Sequence, residues 1–233
     1  MLISRRLSIT LLIPHLILLW RTTQTLLMYY GFIHNSYMDD VIPGTYTVQM
    51  PKADGTYELS EEEVIVFLVG ARFNHPLGML APGGKELVKY FEGMQKDLED
   101  NREKYGMLGG SAWVGGKERA SNNDNLSIYY FKDTEGVQKF TQENAHREGW
   151  DWYTKFEKEH KHLGIRHELY RVPKKNWENV FLNCHPTLFG ATSYLVKPDG
   201  EDEKWVGPAI VDGNGSKFKT IRERMGIRTG KDD

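Results

Sequence analysis

The chain has 233 residues, 39% apolar and 27% charged, a balance that excludes a disordered or collagen-like polymer and suits one globular domain with a segment to spare. Thirty Lys and Arg against 32 Asp and Glu leave a net charge of −2, so nothing pulls the chain toward a phosphate backbone and nucleic acid is not an expected partner. The single cysteine, Cys184, excludes an intrachain disulfide, a CxxC redox pair and a thiolate zinc cage within one chain.

Residues 1–38 carry Arg5, Arg6 and Arg21 and no acidic residue. An apolar run over 7–20 and, after Arg21, a second one over 22–33 predict an apolar helical segment. Neither run reaches the roughly 18–20 residues that span a bilayer. Joined, they put Arg21 near mid-membrane at a cost of at least about 2.5 kcal/mol unless the guanidinium snorkels. The segment reads as a retained membrane anchor or re-entrant hairpin over residues 7–33, with a cleaved targeting segment and a buried helix of the main domain as the other readings.

Residues 39–63, with Pro43-Gly44, Asp54-Gly55 and Glu61-Glu62-Glu63, read as a linker. The folded domain is then expected over 64–198. The run VIVFLV at 64–69 predicts a buried strand, and Leu87, Tyr90 or Phe91, Met94 and Leu98 recur at helical spacing after Gly83-Gly84. Residues 109–114 and 126–131 predict a hairpin around a turn-rich loop. Asp133 or Thr134 starts a second helical stretch that carries Val137 and Phe140 on one line, and 163–172 alternates as a fourth strand stopped by Pro173. The order strand, helix, strand, strand, helix, strand is the ferredoxin-like βαββαβ arrangement of an α+β fold. A further strand is expected within 192–196, and 199–233 reads as a polar, poorly packed tail.

His146, Trp150 and Tyr153 fall at i, i+4 and i+7, so one helix would place an imidazole and two amphipathic rings on one face. That face either lines a pocket, with His146 as a general base, or is an aromatic core stripe ending in a surface histidine. His167 shares a strand face with Ile165 and Leu169, while Arg166, Glu168 and Tyr170 point the other way. It is a satisfied core residue, a pocket acid or base, or a haem ligand. Arg72, Asn74 and His75 follow the first strand, where a loop can position a substrate oxygen or be solvated. His160 and His162 lie in a charged stretch with no third ligand at metal spacing and read as a solvated helix end, so no metal site is expected. The glycine pairs at 109–110 and 115–116 lack the G-x-G-x-x-G and Walker patterns, and no flavin or nicotinamide fold is expected.

The stretches VIPGTYTVQM, VIVFLVGARFNHP, MLGGSAWVGG, LSIYYFKDTEGVQKFTQENAHREGWDWY and GIRHELYRVPKKNWENVFLNCHPTLFGA, spaced in order over residues 41–196, resemble the fumagillin-pathway-type monooxygenases of fungi and their bacterial relatives. The resemblance implies a dimeric α+β barrel, hence a homodimer, related to antibiotic-biosynthesis-type monooxygenases. It implies an oxygenase that uses O2 on a hydrophobic secondary metabolite, a polyketide or terpenoid intermediate, without metal or flavin. A haem-dependent dehydratase or oxygenase on the same fold and a membrane-tethered, non-catalytic metabolite-binding module are the alternatives. Fungal members also carry an apolar N-terminal segment, which favours the anchor and an endoplasmic-reticulum location. By position, His146 and Trp150 match the family's histidine followed four residues later by tryptophan, His167, Glu168 and Tyr170 match its fourth-strand motif, and Asn183 matches the segment beyond. The expected site is thus His146 and His167 as catalytic residues, with Arg72, Asn74, Trp150, Tyr153, Tyr170 and Asn183 binding substrate.

Overall fold

The computed structural model describes residues 2–57, 60–119, 121–212 and 220–227. The chain divides into two compact units, Met1–Val41 and Ile42–Asp233. The first consists of helix α1 (Leu2–Tyr29) and a 3-10 turn, Ser36–Met38, that Asn35 caps by accepting from the Tyr37 N–H at 3.2 Å.

The membrane anchor expected from the sequence is not supported. No helix among the described residues is long and apolar enough to cross a membrane. The physical reason is legible in α1, where the polar stretch from Arg21 to Thr25 interrupts the apolar runs and the Thr25 hydroxyl donates to the Arg21 carbonyl at 2.9 Å. Membrane association through residues 7–33, and the endoplasmic-reticulum membrane location that followed from it, are therefore withdrawn.

The second unit runs β1 (Ile42–Gln49), β2 (Val64–Phe73), α2 (Gly84–Asp100), α3 (Arg102–Tyr105), β3 (Met107–Val114), β4 (Asp124–Phe131), α4 (Thr134–Thr141), α5 (Asn144–Phe156), β5 (Leu163–Val172), β6 (Phe181–Cys184), β7 (Tyr194–Val196), β8 (Lys204–Val206), β9 (Ala209–Asp212) and α6 (Ile221–Arg224). Four strands form an antiparallel sheet in the order β3-β4-β2-β5. This is the ferredoxin-like order, with the first strand of the motif, β2, in the interior and paired on both sides. β2 is a continuous apolar run because both of its faces are covered. Ile65 and Phe67 join Tyr129 and Phe131 under Leu98, Val137 and Phe140 of the helices. Val64 and Val66 face the other way with Tyr130, against Tyr46, Val48 and Phe189.

The second helical stretch is two helices. Asp133 caps α4 by accepting from the Gly136 N–H at 2.8 Å, as its position before Thr134 suggests. The chain then breaks at Gln142 and the extended Glu143, whose carboxylate pairs with Lys104. The break reorients the chain so that the first turn of α5 brings the His146 ring edge-on to Phe140, 5.5 Å between centroids.

Two segments expected to be loose are packed. Within 39–63, β1 is the middle strand of a second sheet ordered β6-β1-β9, with Val48 and Thr47 fully buried. Asn179 clips this strand, donating to the Val48 carbonyl at 2.9 Å and accepting from its N–H at 2.7 Å, and the Gln49 side chain accepts from the Ser60 N–H at 3.0 Å. In the C-terminal stretch, β7 pairs with β8, β9 pairs with β1, and buried Arg224 donates to Glu178 at 2.6 Å. Residues 213–219 and 228–233 of the expected tail lie outside the described residues.

Candidate active site

A cavity of about 640 Å³ lies between the helix-facing side of the four-stranded sheet and helices α2, α4 and α5. Phe67 and Val69 of β2 and Ile165, His167 and Leu169 of β5 form its floor, which is the period-2 face read from the sequence. Tyr90 and Met94 of α2, Phe140 of α4, and His146 and Trp150 of α5 form its walls. One end is closed by buried Leu98 and Tyr129. The other is open, where Trp150 is 56% and Leu169 40% exposed.

His146 is half-buried, and burial pushes its imidazole below the ordinary histidine range. The Thr141 carbonyl works in the opposite sense, and a charge on His167 adds to the lowering. His146 is therefore neutral at neutral pH, with a ring nitrogen free to accept a proton. His167 stands on β5 beside the Phe67 ring, 5.8 Å between centroids. Other polar groups on the cavity wall include Gln95, Tyr129, Gln138, Arg147 and Asp151.

Of the expected site residues, His146, Trp150 and His167 come together here. The others do not line the cavity. Tyr153 donates its hydroxyl to the Leu163 carbonyl at 3.0 Å and ties α5 to the start of β5. Tyr170 lies on the far side of the sheet, its hydroxyl bonded to Glu168. Arg72 also faces that side, donating to Asn74 and to Asn122 at 3.0 Å each and so fastening the β3-β4 loop. Asn74 donates its N–H to the His162 carbonyl at 2.7 Å. Asn183, in β6, adopts φ 51° and accepts from the Gly44 N–H at 2.8 Å, bridging to β1 where the register between the two strands shifts.

Reading by residue type missed Tyr129. Its strand pattern is that of any core aromatic, and only the packing distinguishes it. His75, His160 and His162 cluster, with ring centroids 5.3 and 5.7 Å apart for the two pairs that share His162. Among the described residues, however, no group of three or more His, Cys, Asp or Glu is arranged to hold a metal. His162 donates to the Pro82 carbonyl and His75 accepts from the Leu77 N–H, so two of these rings already serve the backbone. A second cavity, of about 550 Å³, lies beside Arg102 and Trp205 and contains no imidazole. Of its charged groups, Glu63 is paired with Arg171 and Asp133 is occupied by its helix cap.

The family model described as Monooxygenase af470-like matches residues 64–189, from the first residue of β2 to the segment beyond β6. Monooxygenase af470 of Aspergillus fumigatus is 38% identical over 196 residues, which are 82% of this chain and 70% of that protein. The chain belongs to the Monooxygenase af470-like family. It is an oxidoreductase of the monooxygenase kind.

Two solved structures are similar at low identity. Aldoxime dehydratase OxdRE in complex with butyraldoxime has a TM-score of 0.46 and 13% identity, covering 64% of this chain and 39% of that one. SnoaB, a cofactor-independent oxygenase from Streptomyces nogalater, has a TM-score of 0.31 and 12% identity, covering 47% and 91%. In this monooxygenase the family match spans every strand of the four-stranded sheet and every residue named in the cavity.

Proposed function

We propose that the cavity binds a hydrophobic small molecule carrying an acidic C–H or phenolic O–H, a polyketide or terpenoid intermediate, and that the enzyme oxygenates it with O2 without metal or flavin. The observation that carries this reading is a neutral imidazole, His146, facing a largely apolar cavity that a second imidazole, His167, also lines. His146 takes the proton, and the substrate anion gives one electron to O2. The resulting radical and superoxide combine to a peroxide anion, which the His146 imidazolium protonates. Loss of water from a CH2 centre then leaves a carbonyl, so O2 and two substrate hydrogens become the new C=O and one H2O. The apolar walls keep bulk water from the anion, and Trp150 holds the substrate at the open end.

Haem is the other group the resemblance admits. The residues fit it poorly, because Arg147 is the one cation among the described residues lining the cavity, against two propionates. No part of the proposed reaction passes through it. A homodimer belongs to the same reading, with the half-exposed Trp113 and Tyr170 on the far side of the sheet as the surface a second copy would cover. Light scattering of the purified chain tests that point.

The reading is tested by oxygen uptake of the purified full chain with a panel of acidic aromatic and polyketide-like compounds, beside an absorbance spectrum of the same sample. Uptake by a colourless protein with no added reductant supports it. A Soret band that uptake requires, or ligand binding without uptake, contradicts it.

A further inference from the structure

The sheet register gives the cavity two polar ends. On the helix-facing side, Tyr129 of β4, Phe67 of β2 and Leu169 of β5 form one row, and Ser127, Val69 and His167 form the next. β4 and β5 flank β2 and the two residues lie one row apart, so the backbones of Tyr129 and His167 are separated by two strand spacings across the sheet and one two-residue step along it, about 12 Å. The strand between them offers the cavity only Phe67 and Val69. A phenol thus closes one end of an apolar strip, and an imidazole marks the other.

The phenol is held in place by what is missing opposite it. Gly110 of β3 is the register partner of Tyr129, and a Cβ at Gly110 would lie 2.4 Å from Tyr129 Cδ1 and 2.7 Å from Cε1. The ring therefore lies over the glycine backbone, and no other residue leaves room for it. Tyr129 is 7% exposed, and burial raises its phenol above the ordinary range. A hydrogen bond from the Ser127 hydroxyl to the phenol oxygen works in the opposite sense and occupies its acceptor side, so the hydroxyl stays protonated at neutral pH with its own O–H left to donate.

Resting on the reading that this cavity is the substrate site, we infer that Tyr129 is a substrate-binding residue whose hydroxyl donates to the far oxygen of an elongated substrate. The substrate class is then an apolar skeleton with an oxygen function at each end, its acidic end at His146 and His167 and its hydrogen-bond-accepting end at Tyr129.

The test is calorimetric titration of the full chain with two rod-shaped probes, p-phenylphenol, with one hydroxyl, and p,p′-biphenol, with one at each end. The wild-type protein should bind the diol about tenfold more tightly, the value of one net hydrogen bond. Tyr129→Phe should abolish that preference and leave the affinity for p-phenylphenol unchanged. Gly110→Ala keeps the hydroxyl but displaces the ring, and should reduce the preference as well. A wild-type protein without the preference, or a Tyr129→Phe protein that retains it, overturns the inference. Binding needs no turnover, so a Tyr129-dependent preference in a protein that consumes no O2 overturns the proposed reaction alone. His146-dependent uptake with a preference indifferent to Tyr129 overturns this inference alone.

Discussion

His146 in the first turn of α5 and His167 in the middle of β5 open onto the same cavity, close enough that a proton on His167 lowers the proton affinity of His146. The pair connects a helix and an edge strand that are 21 positions apart at these residues.

The lowered His146 imidazole sets the pH dependence. Its proton affinity in the folded chain lies below the unfolded value of about 6.5. The base is thus in its active form at neutral pH, and kcat/KM should hold level as pH falls through the ordinary histidine range and decline only below it. Stability follows the same sign. The unfolded chain binds the extra proton first, so the contribution present above about pH 6.5 is lost as pH falls toward the folded value. Melting temperatures measured across this window should rise with pH, and less so in His146→Ala.

Tyr153 and Trp150 share the α5 face but not its role. Tyr153→Phe removes the donor to the Leu163 carbonyl and should cost about 1 kcal/mol of stability, measured by denaturant titration, with kcat nearly unchanged. Trp150→Ala, at a position 56% exposed, should change stability by less than about 0.5 kcal/mol and raise KM by several fold. The opposite pattern would exchange their roles.

Most of the four-stranded sheet is legible in the sequence because each strand carries a local signal: the apolar run from Val64, the turn-rich loop before Asp124, the alternation from Leu163. β1 is not. Thr47 and Gln49 lie in the stretch that reads as a linker, yet they are buried and satisfied by Asn179 and Ser60, partners that no local window contains. In the site, helical spacing brings His146 and Trp150 together, and strand alternation puts His167 on the helix-facing side. Spacing fails for Tyr153, whose hydroxyl is taken by a backbone carbonyl, and for Arg72, Asn74, Tyr170 and Asn183, whose hydrogen bonds lie elsewhere in the fold.

The Asn179 clip ties β1 to the segment just before β6 by two hydrogen bonds to one residue. Asn179→Ala leaves the Val48 N–H and carbonyl without these partners and should cost about 3 kcal/mol, the penalty for two unsatisfied buried backbone groups. Denaturant unfolding measures this directly, and a loss below about 0.5 kcal/mol would show that β1 is held by its strand neighbours alone.

The most direct test of the central claim is the single-turnover rate of oxygen consumption by the full-length wild-type and His146→Ala proteins with the same acidic substrate, both shown to be folded. Loss of the general base should slow His146→Ala by about 100-fold or more at neutral pH while substrate still binds. An unchanged rate in the folded variant would contradict the account and move proton abstraction away from His146.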